Sequence, residues 1–476
     1  MANLFSALQT AGNSLRVFEQ SIENTQNNVS NASAPGYVKQ TLALESLPFD
    51  LTGGSPGGVK VAGISSSRSQ FAEGEVRRQN ESLGSFSEQS TYLDGISSLF
   101  DVSGASGIPA SLTSFFQSLS AWGVAPNSPA ARQAVLDGAA KVASTFRQAA
   151  DGINSTANDI DNQLDNIASQ INAIGANLAT LNAERTTGSQ DPALDAKIYS
   201  NLEQLSGLVN FSVLYPANGA VTVLIGGQVP LVIGSNHFDI QSVVQQPATP
   251  PPVYPAGPPS ARILNADGDD VTSLVTGGKV GGLLSVRNGL IASLRGDTQQ
   301  VGDLNTLAKK FADRVNGILT AGRISDGPPP VSGVPLFSYA ADPNSTARSL
   351  SVTNITPDQL AAIQPGPPSV SNGVILQLAG LANSANPTDQ VNGSTYAQYF
   401  GLLAGRVGQQ QNAAQDGVSL QTQAVALARN QRQQISGVSL DEEATRLIEL
   451  QRSYQAAAQM VTIINSLTGT LMTMLS

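Results

Sequence analysis

Apolar positions near the start of the chain fall on a single stripe. Leu4, Leu8, Ala11, Leu15, Phe18, Ile22, Thr25 and Val29 are spaced 4-3-4-3-4-3-4, the heptad seam of a helix that meets another helix along a narrow line. Asn27, Asn28, Asn31, Pro35 and Gly36 follow and stop it, because Pro and Gly continue a helix only at a cost. The other end repeats the pattern. Leu447, Leu450, Tyr454, Ala457, Val461, Ile464, Thr468, Leu471 and Leu475 are spaced 3-4-3-4-3-4-3-4. Ser439 with Glu442 reads as a capping box, and Asp441 and Glu443 suit the positive end of the helix dipole. A helix from Leu440 to Leu475 is about 54 Å long. Met460, Ile463, Leu467 and Met474 widen its stripe, which predicts contact with more than one neighbour. Two such helices paired together make a thin rod with apolar surface left over, and leftover apolar surface marks an interaction face. The termini are therefore expected to order on assembly.

More helix lies inside these ends. Ser128-Pro129 opens a tract that keeps Ile153, Ile160, Leu164, Ile167, Ile171, Ile174, Leu178 and Leu181 in register to Glu184. A second starts at Asp191-Pro192, a third spans Leu283 to Leu319, and a weaker one runs from Tyr396 to Gln434. The period changes between Phe211 and Ile240, where Val/Ile-rich runs are broken by Asn218-Gly219, Gly226-Gly227 and Gly234, the pattern of strands and turns. The Pro-rich stretch from Pro247 to Pro259 reads as a surface loop. Segments Leu42–Arg78 and Pro328–Leu378 read as short strands with Pro/Gly turns. The expected fold is mainly α with a small β insert: an elongated helical bundle, paired terminal coiled-coil helices and one outward-facing β-rich domain. The expected units are an axial helix and turn (1–40), a first helical part (41–209), the β insert (210–271), a second helical part (272–435) and an axial helix (436–476) that pairs with 1–40.

Composition narrows the function. The 476 residues carry 13% charged side chains, about half the average for soluble domains, with a net charge of −10. No Lys/Arg cluster is present to neutralise phosphates, which argues against nucleic acid as a partner. The chain holds no Cys and one His, His237, so thiolate, zinc-site and most His-dependent chemistry drops out. His237 reads as a surface or turn residue. The carboxylate pairs Asp269/Asp270 and Glu442/Glu443 are explained by a turn and a helix cap rather than by glycan hydrolysis. Asp267, Asp269 and Asp270 lack the Glu that closes a calcium loop, and no phosphate-binding Gly-rich loop occurs. Trp122 reads as a packing anchor. No catalytic residue, cofactor or metal is expected. The start of the chain lacks the basic-then-apolar pattern of a cleaved leader, and Gln455, Gln459 and Asn465 oppose a membrane span in the uncharged tail.

Two motifs then carry a resemblance. The seam helix followed by NNVSNASAPGY (27–37) resembles the start shared by axial proteins of the bacterial flagellum, with Asn28, Asn31, Pro35, Gly36 and Tyr37 on the pattern. SGVSLDEEATRLIELQRSYQAAAQMV (436–461) resembles their C-terminal end. The stretch GGKVGGLLSVRNGLIASLRGDTQQVGDLNTLAKKFADRVNGIL (277–319), with Val334-Pro335-Leu336-Phe337 and GVKVAGISSSRSQF (58–71), is similar to the helical domain of the hook-associated protein 1 family. The resemblance implies a structural subunit of the junction between hook and filament, exported by the flagellar type III apparatus without a cleaved signal. It implies the hook protein, hook-associated protein 3 and copies of itself as neighbours, and a cytosolic chaperone on the C-terminal helix. Under that reading the assembly interface comprises Leu4, Leu8, Leu15, Phe18, Ile22 and Val29, the turn residues named above, and Leu447, Leu450, Tyr454, Val461, Ile464, Leu471 and Leu475. Another axial subunit, of the hook or rod, and a secreted coiled-coil adaptor of a type III system are the alternatives.

Overall fold

The computed structural model describes residues 2–50, 55–102, 106–187, 191–216, 219–246 and 250–475, without the side chains of 2–4, 49–50, 55–56 and 475. Helix α1 (Ala2–Asn31) leads through a turn to strands β1 (Gln40–Ser46), β2 (Phe49–Asp50), β3 (Ser55–Pro56) and β4 (Val59–Ser66). Helices α2 (Gln70–Leu99), α3 (Gly107–Val124), α4 (Pro129–Thr186) and α5 (Pro192–Leu208) follow. The β insert holds β5 (Phe211–Leu214), β6 (Thr222–Ile225), β7 (Val229–Ile233), β8 (Asn236–His237), β9 (Gln241–Gln245) and β10 (Ser260–Leu264). The chain then returns through α6 (Gly278–Leu284), a π-helical stretch (Ser285–Ile291) and α7 (Ala292–Arg295) to α8 (Asp303–Ala321). Short elements, including α9 (Thr346–Ser349) and α10 (Gly373–Gly380), lead to α11 (Tyr396–Ser436) and α12 (Leu440–Leu475). The architecture is the expected one, mainly helical with a small β part.

The body is a bundle in which α2 lies along α11 and α3 along α4. Its core contains Phe115, Phe116, Phe311, Phe337 and Tyr396, arranged edge-to-face or tilted. Trp122 is fully buried, with its indole N–H on Pro126 O at 3.1 Å. Helix α4, about 87 Å long by its 58 residues, begins on the cap expected at Ser128, whose hydroxyl accepts the Ala131 N–H at 3.3 Å. Asp191 caps α5 in the same way, on the Ala193 N–H at 2.9 Å.

The far half of α4 carries the β insert. Strands β5-β6-β7-β8 form one antiparallel sheet, and β9 pairs with β10. Asparagines fix these strands to helices by bonding both backbone groups of one residue, as a neighbouring strand would. Asn182 donates to Val221 O at 2.8 Å and accepts from Val221 N at 2.9 Å. Asn172 does the same to Ile240, at 2.9 Å each way. Asn288, in the π-helical stretch, does so to Ala261 at 2.8 and 3.0 Å. The backbone groups of Val221, Ile240 and Ala261 are thereby satisfied by helix side chains.

Two expectations are corrected. The segment read as mixed strands through Arg78 becomes helix at Gln70, capped by Ser69, whose hydroxyl accepts the Ala72 N–H at 3.3 Å. The buried face of α2 includes Glu73, Asn80, Gly84 and Glu88, so no apolar stripe marks it in the sequence. The single helix read from Leu283 to Leu319 is broken between α7 and α8. Gly296 takes φ +89°, and the Asp297 carboxylate accepts the N–H of Gln299 and Gln300 at 2.7 and 2.9 Å. That turn ends the helix although the apolar spacing continues through it. The described part of the Pro-rich stretch is tied down beside this break, with Tyr254 N on Thr298 O at 2.9 Å; residues 247–249 lie outside the described residues.

Candidate assembly site at the paired termini

The end of α1 meets the start of α12, so the two terminal helices run antiparallel, with the β1–β4 hairpin packed on α1. The turn between α1 and β1 closes by successive bonds, Ala34 N to Asn31 O at 2.9 Å and Tyr37 N to Ala34 O at 3.1 Å. The Asn31 amide folds back on Asn27 O at 3.0 Å. Gly36 takes φ +74°, and a Cβ there would stand 2.3 Å from Ala196 O on α5, so both conformation and packing demand glycine.

Asn28, in the last turn of α1, is the centre of the hydrogen bonding at this end and is 1% exposed. Its amide donates to Gln40 O at 2.8 Å and to Glu443 Oε2 at 3.1 Å. Its carbonyl accepts from Gln40 N at 2.9 Å and from the Tyr37 hydroxyl at 3.0 Å. All four of its bonding sites are thus used. Lys39 Nζ reaches Glu443 Oε1 and Glu442 Oε2, both at 3.1 Å. Burial lowers the Lys39 ammonium pKa, but the two carboxylates outweigh it and the net direction is upward. The Tyr37 phenol is pushed up, first by burial and then by the Glu443 charge. Ser439 accepts the Glu442 N–H at 3.5 Å, but the Glu442 carboxylate pairs with Lys39.

The seam residues occupy two different situations. On α12, Leu447, Leu450, Val461 and Ile464 are half-buried, whereas Tyr454 and Leu471 are exposed. On α1, Leu8, Leu15, Phe18 and Ile22 are only half-buried and Val29 is exposed. The side chains of Leu4 and Leu475 lie outside the described set. Among the described side chains of α1, the buried ones are Ala11, Val17, Ser21, Thr25 and Asn28. Sequence reasoning named Ala11, Thr25 and Asn28 but missed Val17 and Ser21, because this face is small and partly polar. Its signal was a second stripe, Thr10, Ser14, Val17, Ser21, Thr25 and Asn28. These hydroxyls bond back to their own helix, Ser21 to Val17 O at 2.7 Å and Thr25 to Ser21 O at 3.0 Å, so burying them leaves no orphan donor. Also missed were Lys39, Gln40 and a charged cluster below the turn: Arg68, Glu73, Glu203, Arg429 and Arg432.

Open apolar surface remains. Ile448, Met460, Ile463, Leu467, Met472 and Met474 on α12 are 50 to 78% exposed. Phe5 on α1 is 72% exposed. Of the groups weighed for chemistry, Glu442 and Glu443 lie in this site as partners of Lys39, and the others are placed apart from it. His237 is exposed at the sheet edge, 3.8 Å from Asp239, and Asp270 pairs with Arg262 in the turn organised by Asn265. Among the described residues no cluster of His, Cys, Asp and Glu could hold a metal, and no helix is long and apolar enough to cross a membrane.

Comparison with known proteins places the chain in a family. The profile for the flagellar hook-associated protein FlgK helical domain matches residues 93–337. That for the flagellar basal body rod FlgEFG protein C-terminal region matches 417–474. The flagellar hook-associated protein 1 of Bacillus subtilis is 25% identical over 98% of this chain and 97% of its own length. That of Salmonella typhimurium is 27% identical over 68% of this chain and 58% of its own. The solved structure of the flagellar hook junction protein FlgK from Burkholderia pseudomallei superposes with TM-score 0.65 at 15% identity, over 75% of this chain and 99% of that one, and so shares the fold. The chain belongs to the flagellar hook-associated protein FlgK family, as a structural subunit of the hook–filament junction in the bacterial flagellum.

Proposed function

We propose that the antiparallel α1/α12 pair is the shaft by which this subunit is built into the junction, and that the role is mechanical rather than catalytic. The observation that carries this is the apolar surface the pair leaves open on Phe5, Ile448, Met460, Ile463, Leu467, Met472 and Met474. Covering the exposed half of one such side chain stabilises by about 1 kcal/mol, so contacts along several turns outweigh the ordering of the helices. A subunit whose outer stripe meets a different stripe of the next makes heterologous contacts, and these generate helical rings and tubes.

In this reading Leu8, Leu15, Phe18, Ile22, Val29, Leu447, Leu450, Tyr454, Val461, Ile464 and Leu471 line the wall between copies of the chain. Asn28, Asn31, Pro35, Gly36 and Tyr37 hold the shaft's end, with Leu4 and Leu475 at its other end. The hook protein lies on one side and hook-associated protein 3 on the other. Units 41–209, apart from the β1–β4 hairpin that packs on α1, and 272–435 form the body, and the insert 210–271 faces outward. Export is through the type III apparatus without a cleaved signal, with a cytosolic chaperone covering the open face of the C-terminal helix. The test is Leu450→Asp or Ile464→Asp. The variant body should unfold at the parental denaturant concentration by Trp122 fluorescence, yet the subunit should be absent from the tips of isolated hooks, with filament subunits lost to the medium. Normal incorporation would overturn the reading.

A further inference from the structure

The shaft, made of α1, its turn, the hairpin and α12, is joined to the body by two stretches of backbone, one between β4 and α2 and one between α11 and α12. Both are tied to one residue. Ser436, buried at the end of α11, accepts the Lys39 N–H on its carbonyl at 2.9 Å and the Ser69 N–H on its hydroxyl at 3.2 Å. Two crossings held at one point form a pivot, since a few backbone dihedrals there can absorb a swing. A fixed angle needs a third contact away from that point.

The third contact exists, and on a different helix. The turn seats Gly36 against Ala196 and Ser200 of α5. Arg68, in the first crossing, donates from Nη2 to Gly36 O at 2.7 Å and from Nη1 to Glu73 Oε1 at 2.5 Å. Its guanidinium lies 3.8 Å from the centroid of the Tyr199 ring on α5. The side chains of Arg68 and Glu73 are 5 and 4% exposed, so the pair is shielded from solvent. Glu73 continues the chain of bonds to Arg432 of α11 at 3.1 Å, and Arg432 to Glu203 of α5 at 2.7 Å. Charge-assisted bonds of this kind are directional, and one arginine joins the shaft's turn to two helices of the body.

We propose that the Gly36–Arg68–Tyr199 contact is a lock that sets the angle between the terminal shaft and the helical body. This rests on reading the paired termini as the shaft. The chain has no Cys, so exposed Glu19 of α1 and Gln423 of α11 can be replaced by Cys and spin-labelled in the full-length protein. The distance distribution from double electron–electron resonance should be narrow in the parental protein and at least twice as wide in Arg68→Gln. Gly36→Ala should widen it likewise, by lifting the turn off α5 while leaving every charge in place. Arg429→Gln, which removes a body contact to Glu203 and none to the shaft, should leave the width parental. Unchanged widths in both Arg68→Gln and Gly36→Ala overturn the lock, as does equal widening in Arg429→Gln. Neither result touches the assembly reading, which incorporation of the Leu450→Asp protein decides.

Discussion

Asn28 and Glu443 are 415 residues apart in the chain, and the amide of one meets the carboxylate of the other at 3.1 Å. Glu443 is 1% exposed and its other oxygen faces Lys39 at 3.1 Å. The two terminal motifs therefore share one buried polar network, and each satisfies groups that the other brings out of water. A network of this kind is stable when complete and costly when cut.

Asn28→Ala should accordingly destabilise the shaft without disturbing the body. It orphans the Gln40 backbone and one buried carboxylate oxygen, a loss of about 2–4 kcal/mol for the local unit. Hydrogen exchange should rise over α1 and α12 while α3 and α4 stay protected. Asn28→Asp should be worse at neutral pH, because it sets a second carboxylate beside Glu443.

The charged cluster predicts acid sensitivity. Burial alone would raise the Glu203 pKa, but Arg432 and Arg429 overcome it and hold the carboxyl below its ordinary value. A carboxyl whose folded value is depressed stabilises fully above its unfolded pKa and loses that contribution as pH falls through the folded one. Urea midpoints of the parental protein should drop below about pH 4.5. Those of Glu203→Gln should start lower at pH 7 and fall less over the same range. Parallel curves would show that Glu203 contributes nothing.

Two glycines in long helices should respond in opposite directions to alanine. Around Gly405 on α11 the space a Cβ would enter is open, with nothing within 4 Å, so Gly405→Ala should stabilise by up to about 1 kcal/mol through helix propensity. Gly84 on α2 faces Gly207 O, 2.2 Å from where a Cβ would stand, so Gly84→Ala should destabilise by about 1–3 kcal/mol by pushing α2 from α5. Denaturant midpoints read by Trp122 fluorescence decide both.

Asn182→Ala should loosen the β insert from α4. Its amide donates to both Val221 O and Gly234 O at 2.8 Å, and its carbonyl accepts from Val221 N. About 2–3 kcal/mol should be lost, read as faster hydrogen exchange in β6 and β7 with α3 unchanged.

Long apolar stripes were legible in the amino-acid order, those of α4, α5, α11 and α12 and the seam of α1, whereas α3 was not read as a helix although its buried face of Ile108, Leu112, Phe115, Phe116 and Leu119 is apolar. The β insert was legible from its change of period. Helix α2 was not, because Glu73 and Glu88 are buried against Arg68, just ahead of the helix, and against Arg432 and Lys279, which arrive from far along the chain. The break before α8 was hidden for a different reason, since Leu294, Val301 and Leu304 keep helical spacing across an Asp297 turn.

What the sequence determined by itself was the presence of two seam helices at opposite ends and the turn and cap motifs beside them. Local periodicity and capping are properties of neighbouring residues, and neighbours in sequence suffice to write them. The tertiary structure alone decided which face of α1 is buried, that Asn28 meets Glu443, and that Arg68 ties the turn to α5. Those outcomes depend on contacts between groups well separated in the chain, by 32 residues for Arg68 and Gly36 and by 415 for Asn28 and Glu443, and such a bond has no signature until both partners are brought together.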